Sequence, residues 1–250
     1  MLTPGLVSVT FRALSPEEII ALAGRAGLKG IEWGGDVHVP PAAPERAAEV
    51  GRRTRDAGLA VSSYGSYYRV GEDAPFEPVL EAARCLGAPT IRVWSGTVSS
   101  SAATEADRER VVADYVRIVR LAAREGIAVA CEFHDGTLTD DGPTAAAMAE
   151  RVPGLYTYWQ PRHGKPVETG LGELDLLAPC LANLHVFHWW PTPAERLPLA
   201  EGRDRWAAFL KKAAAIPGNR FALLEFVAGD RPEQLLADAP VLRELLAEVG

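Results

Sequence analysis

The sequence predicts an α/β protein, a single (β/α)8 TIM barrel with one domain over residues 1–250. Three observations predict it: eight short β-rich runs spread along the whole chain, a segment of helical period after most of them, and cap signals in phase with that alternation. The runs are Leu6–Thr10, Gly30–Trp33, Leu59–Tyr64, Thr90–Trp94, Ile127–Glu132, Leu155–Trp159, Asn183–Phe187 and Phe221–Phe226, with starts 24 to 38 residues apart. Eight strand–helix units are the number that closes such a barrel. An open doubly wound sheet is the alternative reading of the same alternation.

The helical segments carry their own boundaries. Ser15, Pro16 and Glu18 form a capping box with proline at the first helical position, and Gly27 can close that helix. Thr104 opens a long helix in which Val112, Val116 and Val119 are expected to share one face. Gly58, Gly87, Gly126 and Gly154 each fall between a helical segment and the next strand, where a left-handed cap residue is wanted.

Composition narrows the function classes. With 48% hydrophobic and 24% charged residues, the chain has apolar material for one large core. A formal charge of −7 gives no footprint for nucleic acid or an anionic membrane surface. Met1–Phe11 lacks a cationic stretch followed by a long apolar run, and nothing approaches the roughly 20 apolar residues of a membrane helix, so a cytoplasmic location is expected. Cys85, Cys131 and Cys180 are odd in number and embedded in apolar sequence, which suits reduced core thiols. A homodimer is the expected assembly, because twofold pairs dominate among oligomers.

The chemistry gathers at strand ends. All five histidines, His38, His134, His163, His185 and His188, fall at or just beyond the ends of apolar runs, and Glu32, Glu132 and Glu225 end three of them. Such groups are costly at the end of a buried strand unless paired, hydrogen-bonded or holding a metal. In a (β/α)8 barrel the carboxyl ends of the strands converge on the axis and carry the active site. Side chains two apart share a face, so Ala130, Glu132 and His134 point together, as do Arg92 with Trp94, Tyr158 with Gln160, and Leu223 with Glu225.

The motifs Cys131-Glu132-Phe133-His134, Trp159-Gln160-Pro161-Arg162-His163, Leu184-His185-Val186-Phe187-His188 and Leu224-Glu225-Phe226, in that order and spacing, resemble the fifth to eighth strand ends of the xylose isomerase-like barrels, a superfamily of sugar-phosphate isomerases and epimerases. The resemblance implies one divalent metal, Mn2+, Mg2+ or Zn2+, held by Glu132, Gln160, His185 and Glu225. Gln160 stands at an aspartate position and removes one negative ligand; His188 stands where relatives commonly have aspartate. Glu132, His185 and Glu225 offer two carboxylates and an imidazole, which suits these ions, and read equally as a metal-free network bridged by His185.

Around this centre, Glu32, His38, Arg92, Trp94, His134, His163 and His188 are expected to contact substrate, with a structural reading beside four of them: a salt bridge from Arg92 to Glu32 or Glu132, a purely positioning role for His134, a proline-stiffened loop for His38 and a solvated loop for His163. Trp33, Trp94, Trp159, Trp189 and Trp190 fall at strand ends, an arrangement that suits a sugar or polyol site and equally a hydrophobic lid or a subunit contact. Ala228-Gly229-Asp230 ends in an acid where a phosphate site wants amides and positive charge, so an unphosphorylated substrate is expected. The expected activity is a sugar or polyol isomerase or epimerase in which Glu132 and Glu225 exchange a proton beside a carbonyl. A dehydratase or lyase using the same first step and a noncatalytic sugar-binding barrel are the alternatives.

Overall fold

In the computed structural model, which describes residues 1–250, eight parallel strands close into a barrel. They are β1 (Leu2–Val7), β2 (Gly30–Gly34), β3 (Ala60–Arg69), β4 (Thr90–Trp94), β5 (Ala128–Cys131), β6 (Leu155–Trp159), β7 (Leu181–Val186) and, after a short hairpin, β10 (Arg220–Leu224), which pairs with β1 to complete the ring. The helices are α1 (Pro16–Arg25), α2 (Pro44–Asp56), α3 (Glu77–Leu86), α4 (Glu105–Arg124), α5 (Gly142–Arg151), α6 (Val167–Leu177), α7 (Arg203–Ala215) and α8 (Pro232–Val249). The main core of 59 buried residues lies between strands and helices, whereas Val7, Ala130, Tyr158 and Leu223 of the strands form a separate inner cluster with Val9, which follows β1. The barrel is therefore filled below and leaves its upper end to polar groups.

The Ser15 capping box forms as read, Ser15 Oγ accepting from Glu18 N while the Glu18 carboxylate accepts from Ser15 N, and Thr104, read only as a helix start, forms a second box with Asp107. Gly87 shows why glycine closes these helices, since its φ of 75° is strained for any residue with a Cβ.

Three elements differ from the sequence reading. The first strand is Leu2–Val7, and residues 8–11 leave the ladder as a single 3-10 turn in which Ser8 Oγ accepts from Gly34 N and Thr10 Oγ1 from Phe226 N. Proline and glycine are poor strand formers, yet Gly5 is needed there, because a Cβ would sit 2.6 Å from Leu223 and 2.8 Å from the Gly30 carbonyl oxygen. On α4 the buried stripe is Val111, Tyr115, Ile118 and Ala122; Val116 is 42% exposed, so the valine face is one position, about 100°, away from the core. Finally, the run after β7 folds into an antiparallel pair, β8 (His188–Trp189) with β9 (Arg196–Leu197), that stands over the barrel mouth.

Candidate active site and metal centre

The register of the strands sets the polar layer. Arg92 pairs with Ala130 across β4 and β5, and Leu223 with His185 across β10 and β7, so Arg92 and His185 are level with the apolar filling while Glu132 and Glu225 stand one inward step above it. Glu132 and Glu225 lie one residue past β5 and β10 but prolong the ladders, with Glu132 N donating to Val93 O and Glu225 N to Val186 O at 2.9 and 3.0 Å. Their carboxylates are thus fixed by backbone pairing.

Ligand atoms of Glu132, His185 and Glu225 all lie within 4.8 Å of one another, and all three residues are buried. Gln160 Oε1 and Glu225 Oε2 converge on His185 Nδ1 at 3.1 and 3.4 Å. His185 Nε2 has no hydrogen-bond partner, its nearest carboxylate oxygen being Glu32 Oε1 at 3.6 Å. Arg92 donates through Nε to Glu32 Oε1 at 2.8 Å and through Nη1 to Glu132 Oε2, and Ser63 Oγ donates to Glu32 Oε2. Gly65 makes room for this pair: a Cβ there would lie 2.8 Å from both Arg92 Nη2 and Glu32 Oε1.

Charge decides what this cluster can hold. Three buried carboxylates, Glu32, Glu132 and Glu225, face one guanidinium, which leaves two negative charges uncompensated where desolvation is most expensive. Burial raises the Glu225 pKa, and His185 only partly offsets that. Burial opposes protonation of His185, but Glu225 and Glu32 together raise its pKa. Glu32 is held well below the usual carboxylate range, because Arg92, with His185 and Ser63, outweighs its burial. Two carboxylates, an imidazole nitrogen and an amide oxygen around one point fit a divalent cation in both charge and donor type, and Glu132, Gln160, His185 and Glu225 are the residues that could hold it.

A cavity of about 430 Å³ opens above this point, lined by Arg92, Trp94, Glu132, His134, Gln160, His163 and Glu225 among others. His134 Nδ1 donates to Asp135 O at 2.7 Å, and its ring stacks on Trp94 at 4.5 Å; His163 is parallel to Trp189 at 5.4 Å. Arg69 also lies over the Trp94 ring at 4.1 Å and Arg196 over Trp189 at 4.8 Å. Trp94 and Trp189 thus line the cavity while one face of each ring is already taken by an imidazole or a guanidinium.

Three residues read as substrate contacts do not line the cavity. Glu32 lies beneath it, fully buried, as a partner of Arg92. His38 is also fully buried, with Nε2 donating to Leu14 O and Nδ1 accepting from Ser8 Oγ, so it braces the loop after β2. His188 packs against the backbone of Gly202, whose absent side chain would lie 2.5 Å from its Nδ1. Trp33 and Trp159 are core residues, with Trp33 donating to Thr54 Oγ1 and Trp159 to Glu173. Conversely, sequence reasoning missed Arg12, a cavity residue bound to Asp36, Tyr67 and Val9 O. Its signal was hidden by the misplaced end of β1.

The closed barrel thus gathers carboxylates and an imidazole that could hold a divalent ion at the carboxyl end of its strands. The sequence profile of the xylose isomerase-like TIM barrel family matches residues 20–245, and the chain belongs to that family. Its fold is shared with a probable 3-DHS dehydratase, AsbF, of Bacillus anthracis (20% identity, 97% of this chain and 99% of that one, TM-score 0.80). It is shared also with an L-ribulose 3-epimerase (16% identity, 100% and 96%, TM-score 0.74) and with the IolI protein bound to zinc (13% identity, 100% and 99%, TM-score 0.74). No curated protein matches the chain.

Proposed function

We propose that this chain is a divalent-metal-dependent isomerase or epimerase of a small sugar or polyol, acting by proton abstraction beside a carbonyl. The observation that carries the reading is the approach of Glu132, His185 and Glu225 to within 4.8 Å beneath a cavity of small-ligand size. A bound Mn2+, Mg2+ or Zn2+ would supply electrophilic polarisation of the substrate carbonyl. The chain's own residues do the rest: Gln160 and Glu225 orient His185, Arg92 fixes Glu132, and Glu225, free of any guanidinium, takes the proton from the carbon next to the carbonyl. Zinc in the IolI structure and the epimerase among the structural neighbours support the cofactor and the reaction.

The two carboxylates are not equivalent, and that asymmetry favours a second reading. Glu132 is engaged by Arg92 whereas Glu225 has no guanidinium partner, so a single proton acceptor, Glu225, suits loss of water from the same enediolate as well as its reprotonation. A dehydratase among the structural neighbours supports this reading. Incubating metal-loaded protein in D2O with ketoses and inosose derivatives separates the two: deuterium incorporated at the carbon next to the carbonyl without change of composition supports the isomerase, and a dehydrated product the dehydratase. Glu225→Gln is expected to abolish both. Exchange at the wild-type rate in that variant would reject Glu225 as the base.

A further inference from the structure

Three arginines line the cavity, and two are committed. Arg12 donates through Nε to Asp36, through Nη2 to the Tyr67 hydroxyl and through Nη1 to Val9 O. Arg92 spans Glu32 and Glu132. Arg162, two residues past Gln160, makes no such bond; its nearest carboxylate oxygen is Glu173 Oε1 at 3.8 Å, too long for a hydrogen bond. Glu173 is a poor counter-ion, because burial raises its pKa and Trp159 Nε1 already occupies its other oxygen. A guanidinium carries five donors in a planar fork and ordinarily finds a partner when it lines a cavity.

We propose that Arg162 receives a carboxylate of the substrate, so that the sugar or polyol of the reading above is its acid form, a hydroxy-oxo carboxylate of one ring's size. The inference takes its location from the metal-site reading above. The neutral side chain of Gln160 agrees with it: Glu132 and Glu225 balance one divalent ion, and no surplus charge remains among the four donors to repel an anion. A single planar fork matches a carboxylate, whereas a phosphate site would add backbone amides. The acid at the loop after β10, Asp230, is instead spent on Arg196. The aromatic rim agrees as well, since its indoles are already stacked with protein groups.

The test is calorimetric titration of the wild type, Arg162→Gln and Arg162→Lys with two matched pairs of probes, D-galacturonate against D-galactose and quinate against methyl quinate, with and without Mn2+. The acids are expected to bind about tenfold or more tightly than their neutral partners, a difference of about 1.4 kcal/mol. Arg162→Gln should erase that preference with affinity for the neutral probes unchanged, and Arg162→Lys should keep part of it. Equal affinity for acid and neutral partner, an unaltered preference in Arg162→Gln, or no binding by any of the four probes would overturn the proposal. Deuterium exchange and metal content, measured on the same preparations, report separately on the catalytic reading; an acid preference that survives without either would leave this inference standing and remove that one.

Discussion

Arg92 is the residue on which the polar layer turns. It is 3% exposed and bridges Glu32 to Glu132, so its removal strands two buried carboxylates. Arg92→Leu is expected to cost about 3–5 kcal/mol in urea unfolding measured with EDTA present; a cost below about 1 kcal/mol would contradict the pairing. Glu32 gives the layer a pH signature. Its folded pKa is depressed, so the stability it contributes is full above its ordinary value of 4.5 and is lost as the pH falls below that value toward the folded one. The melting temperature of the wild type should therefore fall as the pH drops below about 4.5, and Glu32→Gln should flatten that dependence while lowering stability at neutral pH. Cys131, whose thiol burial pushes up to about 12, should stay unlabelled by iodoacetamide at pH 8 until the chain unfolds.

Elements set where these residues stand, and some elements were more legible than others. The helix starts were plain because a cap is local chemistry: Ser15 with Glu18 and Thr104 with Asp107 need only three residues of spacing. Ser15→Ala and Thr104→Ala should each lower stability by about 1 kcal/mol in thermal or urea unfolding, with metal binding unchanged. Which stripe of a helix faces the core is a tertiary matter, and the equally apolar Val112, Val116 and Val119 of α4 concealed the true one. Strand β3 shows a further case. Gly65 sits inside it for lack of space, and Gly65→Ala, placing a Cβ 2.8 Å from Arg92 and Glu32, should cost about 1–3 kcal/mol and disturb the ion pair. Full stability in that variant would show that the pair can move aside.

At the scale of the whole molecule the barrel was legible because its strand signal is written eight times, with helix and cap signals in phase after most of the strands. The set Glu132, Gln160, His185 and Glu225 was legible through the family resemblance, and the topology explains why residues so far apart in sequence meet, since barrel strand ends converge on the axis. What a strand end cannot reveal is depth. Glu32 stands in the middle of β2 and His38 four residues past its end, so one supports Arg92 below the cavity and the other braces a loop against Ser8 of the 3-10 turn. His188 was drawn off by the β8–β9 hairpin, whose antiparallel pairing nothing in the repeat foreshadows.

The central claim is that Glu132, His185 and Glu225 share one cation, and direct metal titration tests it. Protein stripped with EDTA and titrated with Mn2+ under electron paramagnetic resonance is expected to take up one ion per chain, with His185→Ala and Glu225→Gln each weakening uptake at least about tenfold while circular dichroism reports an intact barrel. No uptake by the wild type, or equal uptake by the variants, would contradict the account.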